Sequence, residues 1–237
     1  MDAEALLARL AAEPGRAALF FDVDGTLAPI VARPEDAAVP EETQANLRRL
    51  AGRYALVACV SGRTAEEAKR VVGVPELTYV GEHGLELDPR AERWQRALEE
   101  FAEDVDWPAE RKRLSISFHW RTANDPQAAE TYLARVAEQA AAAGLRPRFG
   151  RKVLEIRPPV DADKGTAVRT LLEHYGLHRA LYAGDDSTDL DAFLGLDGLE
   201  LAIRVAISSD EGPSELAAAA DLVLGGPEAL QELLRRL

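Results

Sequence analysis

Phe21-Asp22-Val23-Asp24-Gly25-Thr26-Leu27 decides the reading of this chain, because two carboxylates, a glycine and a threonine follow an apolar run. Ala17-Ala18-Leu19-Phe20-Phe21 has the length and composition of a buried strand. Asp22 and Asp24 therefore emerge at its carboxyl end, where open α/β sheets place their ligands. On an extended chain, side chains two residues apart point the same way. Gly25 lets the backbone turn sharply and approach a ligand closely. Carboxylates so placed suit nucleophilic attack by one and proton transfer by the other. The same residues also suit a plain strand-ending Asp-Gly turn.

Outward from this stretch, strands and helices alternate. Leu6, Leu7 and Leu10 mark a leading amphipathic helix, and Pro40-Glu41-Glu42 opens another that carries Leu47 and Leu50. Residues 54–60 read as the next strand, Thr64-Ala65-Glu66-Glu67 as the start of a short helix, and 77–80 as a third strand. Toward the end, a helix over 165–175 precedes a strand over 180–183. Strands at 201–207 and 222–224 follow, and a helix from Pro227 closes the chain. This order predicts an α/β fold with a doubly wound, mostly parallel, Rossmann-like sheet.

The middle differs. Leu114-Ser115-Ile116-Ser117-Phe118-His119-Trp120 alternates apolar and polar positions, as a half-buried antiparallel strand does. An Ala-rich helix over about 126–143 follows, then strands at 147–149 and 153–156, and Trp94, Trp107 and Trp120 all fall in this segment. We expect an inserted α+β domain at 84–159, with 1–83 and 160–237 forming the core.

The chain has 237 residues, 47% of them hydrophobic, which is enough for one large or two small domains. A formal net charge of -13 argues against nucleic acid or an anionic membrane as partner. It is compatible with a small phosphorylated substrate, because a local lysine and a metal reverse the field inside a pocket. Cys59 lies in an apolar run and reads as a core residue. No basic leader or long apolar segment appears near Met1-Asp2-Ala3-Glu4, so the expectation is a cytoplasmic enzyme.

Three further motifs fall at strand ends or helix starts. Ser61-Gly62-Arg63 offers a hydroxyl and backbone N–H groups to phosphate oxygens, or serves as a helix-capping turn. Asp163-Lys164-Gly165 puts one of only four lysines at a helix N-terminus, where its charge is unfavourable for the helix. Gly184-Asp185-Asp186-Ser187-Thr188-Asp189 crowds three carboxylates that repel one another unless a cation joins them. A phosphomonoester dianion about 3 Å from a carboxylate meets roughly 5 kcal/mol of repulsion per charge pair at an effective dielectric near 20. An oxygen-only acidic site with Mg²⁺ and a lysine answers that problem. No Gly-x-x-x-x-Gly-Lys loop is present.

Asp22-x-Asp24-Gly25-Thr26, Ser61, Lys164 and Gly184-Asp185-Asp186-x-x-Asp189, in that order, resemble the four motifs of the haloacid dehalogenase superfamily of phosphohydrolases. The resemblance implies that Asp22 is a nucleophile forming an aspartyl-phosphate, with Asp24 as acid and then base. Ser61 and Lys164 would hold phosphoryl oxygens, with Gly25, Thr26 and Gly62 beside them. Asp185 would complete Mg²⁺ coordination with the Asp22 carboxylate and the Asp24 carbonyl, while Asp186 or Asp189 orients metal-bound water.

Finer features resemble trehalose-6-phosphate phosphatases: Gly81-Glu82-His83-Gly84-Leu85-Glu86, Lys152-Val153-Leu154-Glu155-Ile156-Arg157-Pro158, and the continuation to Asp191-Ala192-Phe193. Leu190 departs from the Glu those enzymes usually carry. By this resemblance Arg63, Glu82 and His83 line the site mouth, and Lys152 and Glu155 of the inserted cap reach sugar hydroxyls. The implied activity is hydrolysis of trehalose 6-phosphate, with a possible functional link to a trehalose-6-phosphate synthase. The alternatives are another sugar phosphate (of sucrose, glucosylglycerol or mannosylglycerate) or a non-catalytic sugar-phosphate-binding module.

Overall fold

The computed structural model describes residues 3–31, 33–150, 152–208 and 212–237. Its elements run as helix α1 (Ala3–Ala12), strand β1 (Ala18–Phe21), α2 (Glu41–Ala51), β2 (Leu56–Val60), α3 (Ala65–Val72) and β3 (Thr78–Val80). The middle holds α4 (Gln95–Glu103), β4 (Ala109–Arg111), β5 (Ile116–His119), α5 (Pro126–Ala142), β6 (Arg146–Gly150) and β7 (Val153–Arg157). The remainder is α6 (Lys164–Tyr175), β8 (Arg179–Gly184), α7 (Asp189–Gly195), β9 (Leu201–Ile207), α8 (Ser214–Ala219), β10 (Leu222–Leu224) and α9 (Pro227–Arg236). The chain divides into two compact units, Met1–Gly84 with Ala162–Leu237, and Leu85–Asp161.

In the first unit, six parallel strands form a sheet in the order β10-β9-β8-β1-β2-β3. Its strands are continuous apolar runs rather than alternating ones because both faces are covered. Leu19, Phe21, Val57, Cys59, Leu181 and Val205 pack on one side with Leu10, Leu47 and Leu234. Phe20, Ala58, Tyr182 and Ala206 pack on the other with Val168, Phe193 and Leu216. Strand order reverses at β1, with β2 on one side and β8 on the other, and open parallel sheets form their ligand crevice at such a point. Phe21 pairs with both Cys59 and Ala183, so the residues just after β1, β2 and β8 emerge at one level.

Two helix starts match their sequence signals. Thr64 caps α3 in a reciprocal box with Glu67. Asp163 caps α6 the same way with Thr166, which offsets an N-terminal lysine.

In the second unit, β4-β5-β7-β6 form an antiparallel sheet. Phe118, Leu154 and Ile156 pack with Leu133, Val136 and Ala140 of α5 and with Leu98 of α4. Glu155 lies opposite Ser117 and Arg148 in that sheet. Among the described residues, no helix is long and apolar enough to cross a membrane.

Candidate active site

Asp22 follows β1 directly, and its N–H donates to the Ala183 carbonyl of β8 at 2.9 Å. Its side chain is buried, and the Lys164 ammonium stands 2.9 Å from Oδ1. Lys164 is buried as well and donates to Asp189 Oδ1 at 2.7 Å. Burial disfavours the ammonium charge, but the Asp189 and Asp22 carboxylates outweigh it and hold the lysine above its ordinary range.

Asp189 saturates its own carboxylate. Oδ1 accepts from Lys164 and from the Tyr182 hydroxyl, each at 2.7 Å. Oδ2 accepts from the backbone N–H groups of Asp185 and Asp186, each at 2.9 Å. Asp189 therefore shapes the loop after β8 and anchors the lysine. The Asp186 carboxylate accepts from the Ser187 N–H at 2.6 Å.

Asp185 is buried, and Thr26 Oγ1 donates to its Oδ1 at 3.1 Å. Gly25 has φ 82°, and a Cβ there would lie 2.1 Å from Asp185 Oδ2. Only glycine lets the loop after β1 turn this way with the carboxylate against its backbone.

Asp22, Asp185 and Asp189 offer carboxylate oxygens within 4.8 Å of one another. At that spacing each pair of charges repels by about 3 kcal/mol or more at an effective dielectric near 20. Burial, only partly offset by Lys164, pushes Asp22 up to about 7. Burial and the Asp22 and Asp189 charges push Asp185 up to about 9. The donor set is all oxygen, and with Asp189 saturated it leaves Asp22 and Asp185 as the carboxylates for a hard divalent cation. That chemistry fits Mg²⁺.

Asp24 has a separate partner. Arg63 donates Nε to Oδ2 and Nη2 to Oδ1, both at 2.7 Å, and Nη2 also reaches the Pro34 carbonyl at 3.0 Å. The chain leaves the extended conformation after Phe21 and turns through 23–27, with Leu27 and Ala28 N–H both donating to the Val23 carbonyl. Strand alternation therefore does not govern the two carboxylates, which have different partners: a lysine for Asp22 and an arginine for Asp24.

The loops after β2 and β3 are stitched together. Glu82 N–H donates to the Arg63 carbonyl at 2.8 Å, and His83 N–H to the Ser61 carbonyl at 2.9 Å. The His83 ring lies over Gly62, where a Cβ would come within 2.7 Å of Cε1 and Nε2. Ser61 is buried, and its Oγ accepts from Arg63 N–H at 3.2 Å. Glu82 (φ 47°) and His83 (φ 55°) are both left-handed, at a cost of about 1–3 kcal/mol each, and such strain concentrates at functional sites.

Lys152 and Glu155 belong to the second unit. Lys152 is exposed with φ 53°, and its carbonyl accepts from Trp120 N–H at 3.1 Å. Glu155 is buried on β7, 3.8 Å from Arg157 Nε. Sequence reasoning overlooked Tyr182. A tyrosine in an otherwise apolar strand needs a partner for its hydroxyl, and that need was the available signal.

The parallel sheet with acidic residues at its switch point is a fold shared with proteins described as haloacid dehalogenase-like hydrolases. A hydrolase so described from Bacteroides thetaiotaomicron superposes with a TM-score of 0.63 at 14% identity, over 93% of this chain and 98% of that one. The trehalose-6-phosphate phosphatase C-terminal domain of C. albicans superposes with a TM-score of 0.75 at 22% identity, over 99% and 96%.

The chain belongs to the trehalose-phosphatase family, whose model matches residues 20–109 and 108–224. The trehalose-phosphate phosphatase of Mycobacterium marinum is 34% identical over 247 residues, covering 94% of this chain. The chain spans 61% of the length of that relative.

Proposed function

We propose that this chain is a Mg²⁺-dependent phosphomonoesterase that hydrolyses trehalose 6-phosphate to trehalose and inorganic phosphate, with Asp22 as the nucleophile. The observation that carries the reading is the buried Lys164 ammonium 2.9 Å from Asp22, beside Asp185, in a member of this family.

In the first half-reaction a carboxylate oxygen of Asp22 attacks phosphorus, and the bond from phosphorus to the sugar oxygen breaks. Asp24 gives its proton to that leaving oxygen. In the second half-reaction Asp24 takes a proton from water as the water oxygen attacks phosphorus. The Asp22–phosphorus bond breaks and phosphate leaves. Lys164 and Ser61 bind the phosphoryl oxygens, and Lys164 keeps Asp22 oriented for attack.

Arg63 donates to both oxygens of Asp24 and so orients it, and one bond of this fork opens when Asp24 carries the proton that it gives to the leaving oxygen and later takes from water. Asp22, Asp185 and the Asp24 backbone carbonyl would hold Mg²⁺, which supplies the positive charge that lets a phosphate dianion approach a carboxylate. Asp186 and Asp189 order the loop that carries Asp185. Thr26 fixes the Asp185 carboxylate, and the Glu82–His83 loop supports Ser61. Lys152 and Glu155 are assigned to sugar hydroxyls, which charged groups read well.

Phosphate release from a panel of sugar phosphates, with Mg²⁺ and with EDTA, tests the proposal. Preference for trehalose 6-phosphate and loss of activity in EDTA are expected. Indifference to trehalose 6-phosphate would reject the substrate, and full activity without metal would reject the cation.

A further inference from the structure

Tyr182 sits in β8, and its ring is fully buried against Phe193, with centroids 6.1 Å apart and planes at 82°. Its hydroxyl donates to Asp189 Oδ1 at 2.7 Å, the oxygen that Lys164 Nζ also reaches at 2.7 Å. Burial and the neighbouring Asp189 and Asp22 charges hold the phenol well above its ordinary range, so it keeps its proton and acts as a donor. A tyrosine serving only the core is satisfied by any carbonyl within reach. This one shares a single carboxylate oxygen with the lysine of the site.

An ammonium has three N–H donors. Among the described residues, Lys164 directs two of them, to Asp189 at 2.7 Å and to Asp22 at 2.9 Å. An undivided Asp189 oxygen would draw the ammonium toward itself and away from Asp22, since a charge-assisted bond strengthens when its acceptor has no other donor. We infer that Tyr182 is a positioning residue for the Asp22–Lys164 pair: its hydroxyl shares Asp189 Oδ1, so that the lysine stays on the nucleophile and keeps its third N–H for a phosphoryl oxygen. The inference rests on reading Asp22 as the nucleophile.

Tyr182→Phe removes the hydroxyl and keeps the ring. The expected result is a kcat lower by roughly 10- to 100-fold, the worth of one hydrogen bond to a charged group, with KM changed by less than about 3-fold. Phe193→Leu, which alters the ring's packing partner and no hydrogen bond of the network, is expected to leave kcat near that of the parent protein.

A second readout does not depend on turnover. The chain has four lysines, Lys69, Lys112, Lys152 and Lys164, so ¹⁵N-lysine labelling resolves each ammonium by NMR. Lys164 should give a slowly exchanging signal that broadens or shifts in Tyr182→Phe while the other three stay in place. Labelling all five tyrosines as 3-fluorotyrosine strengthens the phenol as a donor and is expected to move the Lys164 signal without any substitution.

Unchanged kcat in Tyr182→Phe, or an unmoved Lys164 signal under both changes, overturns the inference. Failure of the parent protein to hydrolyse any phosphomonoester would reject the proposed function instead, and the lysine signal would still decide the link between Tyr182 and Lys164.

Discussion

Gly25 makes room for Asp185: a side chain at position 25 would begin 2.1 Å from the Asp185 carboxylate, on a backbone with φ 82°. Two loops separated in the chain, one after β1 and one after β8, meet at that contact. The carboxylate then lies close to Asp22 instead of facing open solvent. The loop and the proposed cation site are therefore one feature, and the glycine is required twice, for conformation and for space.

Gly25→Ala should consequently lower Mg²⁺ affinity and activity together, by about 10- to 100-fold, the order expected for a misplaced ligand. Isothermal titration with Mg²⁺, beside activity at saturating metal, checks this. Normal affinity in the alanine variant would separate Gly25 from the cation site.

Removal of metal has a pH signature. The folded-state values of Asp22, about 7, and Asp185, about 9, lie above the ordinary carboxylate value of 3.8. Raised values mean that the associated stability is fully present below 3.8 and is lost as pH rises through the folded values. The metal-free protein should therefore lose stability progressively from about pH 4 to about pH 9, most steeply below about pH 7, where both carboxylates contribute. Urea unfolding in EDTA measures it, and Asp185→Asn should flatten the slope. Stability that rises with pH in EDTA would contradict this electrostatic account.

Because cation binding favours the ionised carboxylates, Mg²⁺ should release protons near neutral pH and bind more tightly as pH rises toward 9. Titration calorimetry in buffers of different ionisation enthalpy counts those protons. Heats that do not depend on the buffer would contradict the assignment.

The parallel sheet is legible in the sequence because its strands are continuous apolar runs punctuated by helix starts such as Thr64-x-x-Glu67. Strand β2 starts later than its apolar run, at Leu56, because Tyr54 and Ala55 N–H groups bond instead to the Leu50 and Pro14 carbonyls. Three elements escape pattern reading. Helix α4 has apolar residues at helical spacing but no side-chain cap to announce it. Strand β4 is three largely exposed residues, and α8 is a six-residue helix behind Pro213. The acidic residues and Lys164 are visible as motifs, whereas their partners are not. Nothing local to Arg63 reveals that Asp24, 39 residues earlier, takes both of its forked donors.

Arg63→Ala should lower kcat about 10-fold or more and raise KM less, because it frees Asp24 from a bidentate partner worth about 1.5–3 kcal/mol. Arg63→Lys should not restore activity, since a lysine cannot form the fork. Steady-state kinetics on both variants decide. An effect confined to KM would make Arg63 a substrate contact instead.

The central claim is that Asp22 carries the phosphoryl group. Acid quenching during turnover, followed by mass spectrometry of the peptide containing Asp22, tests it most directly. A phosphorylated Asp22, absent in Asp22→Asn protein that has folded and lost turnover, is the expected result. Turnover by Asp22→Asn, with no phosphoryl group on this residue in the parent protein, would contradict it.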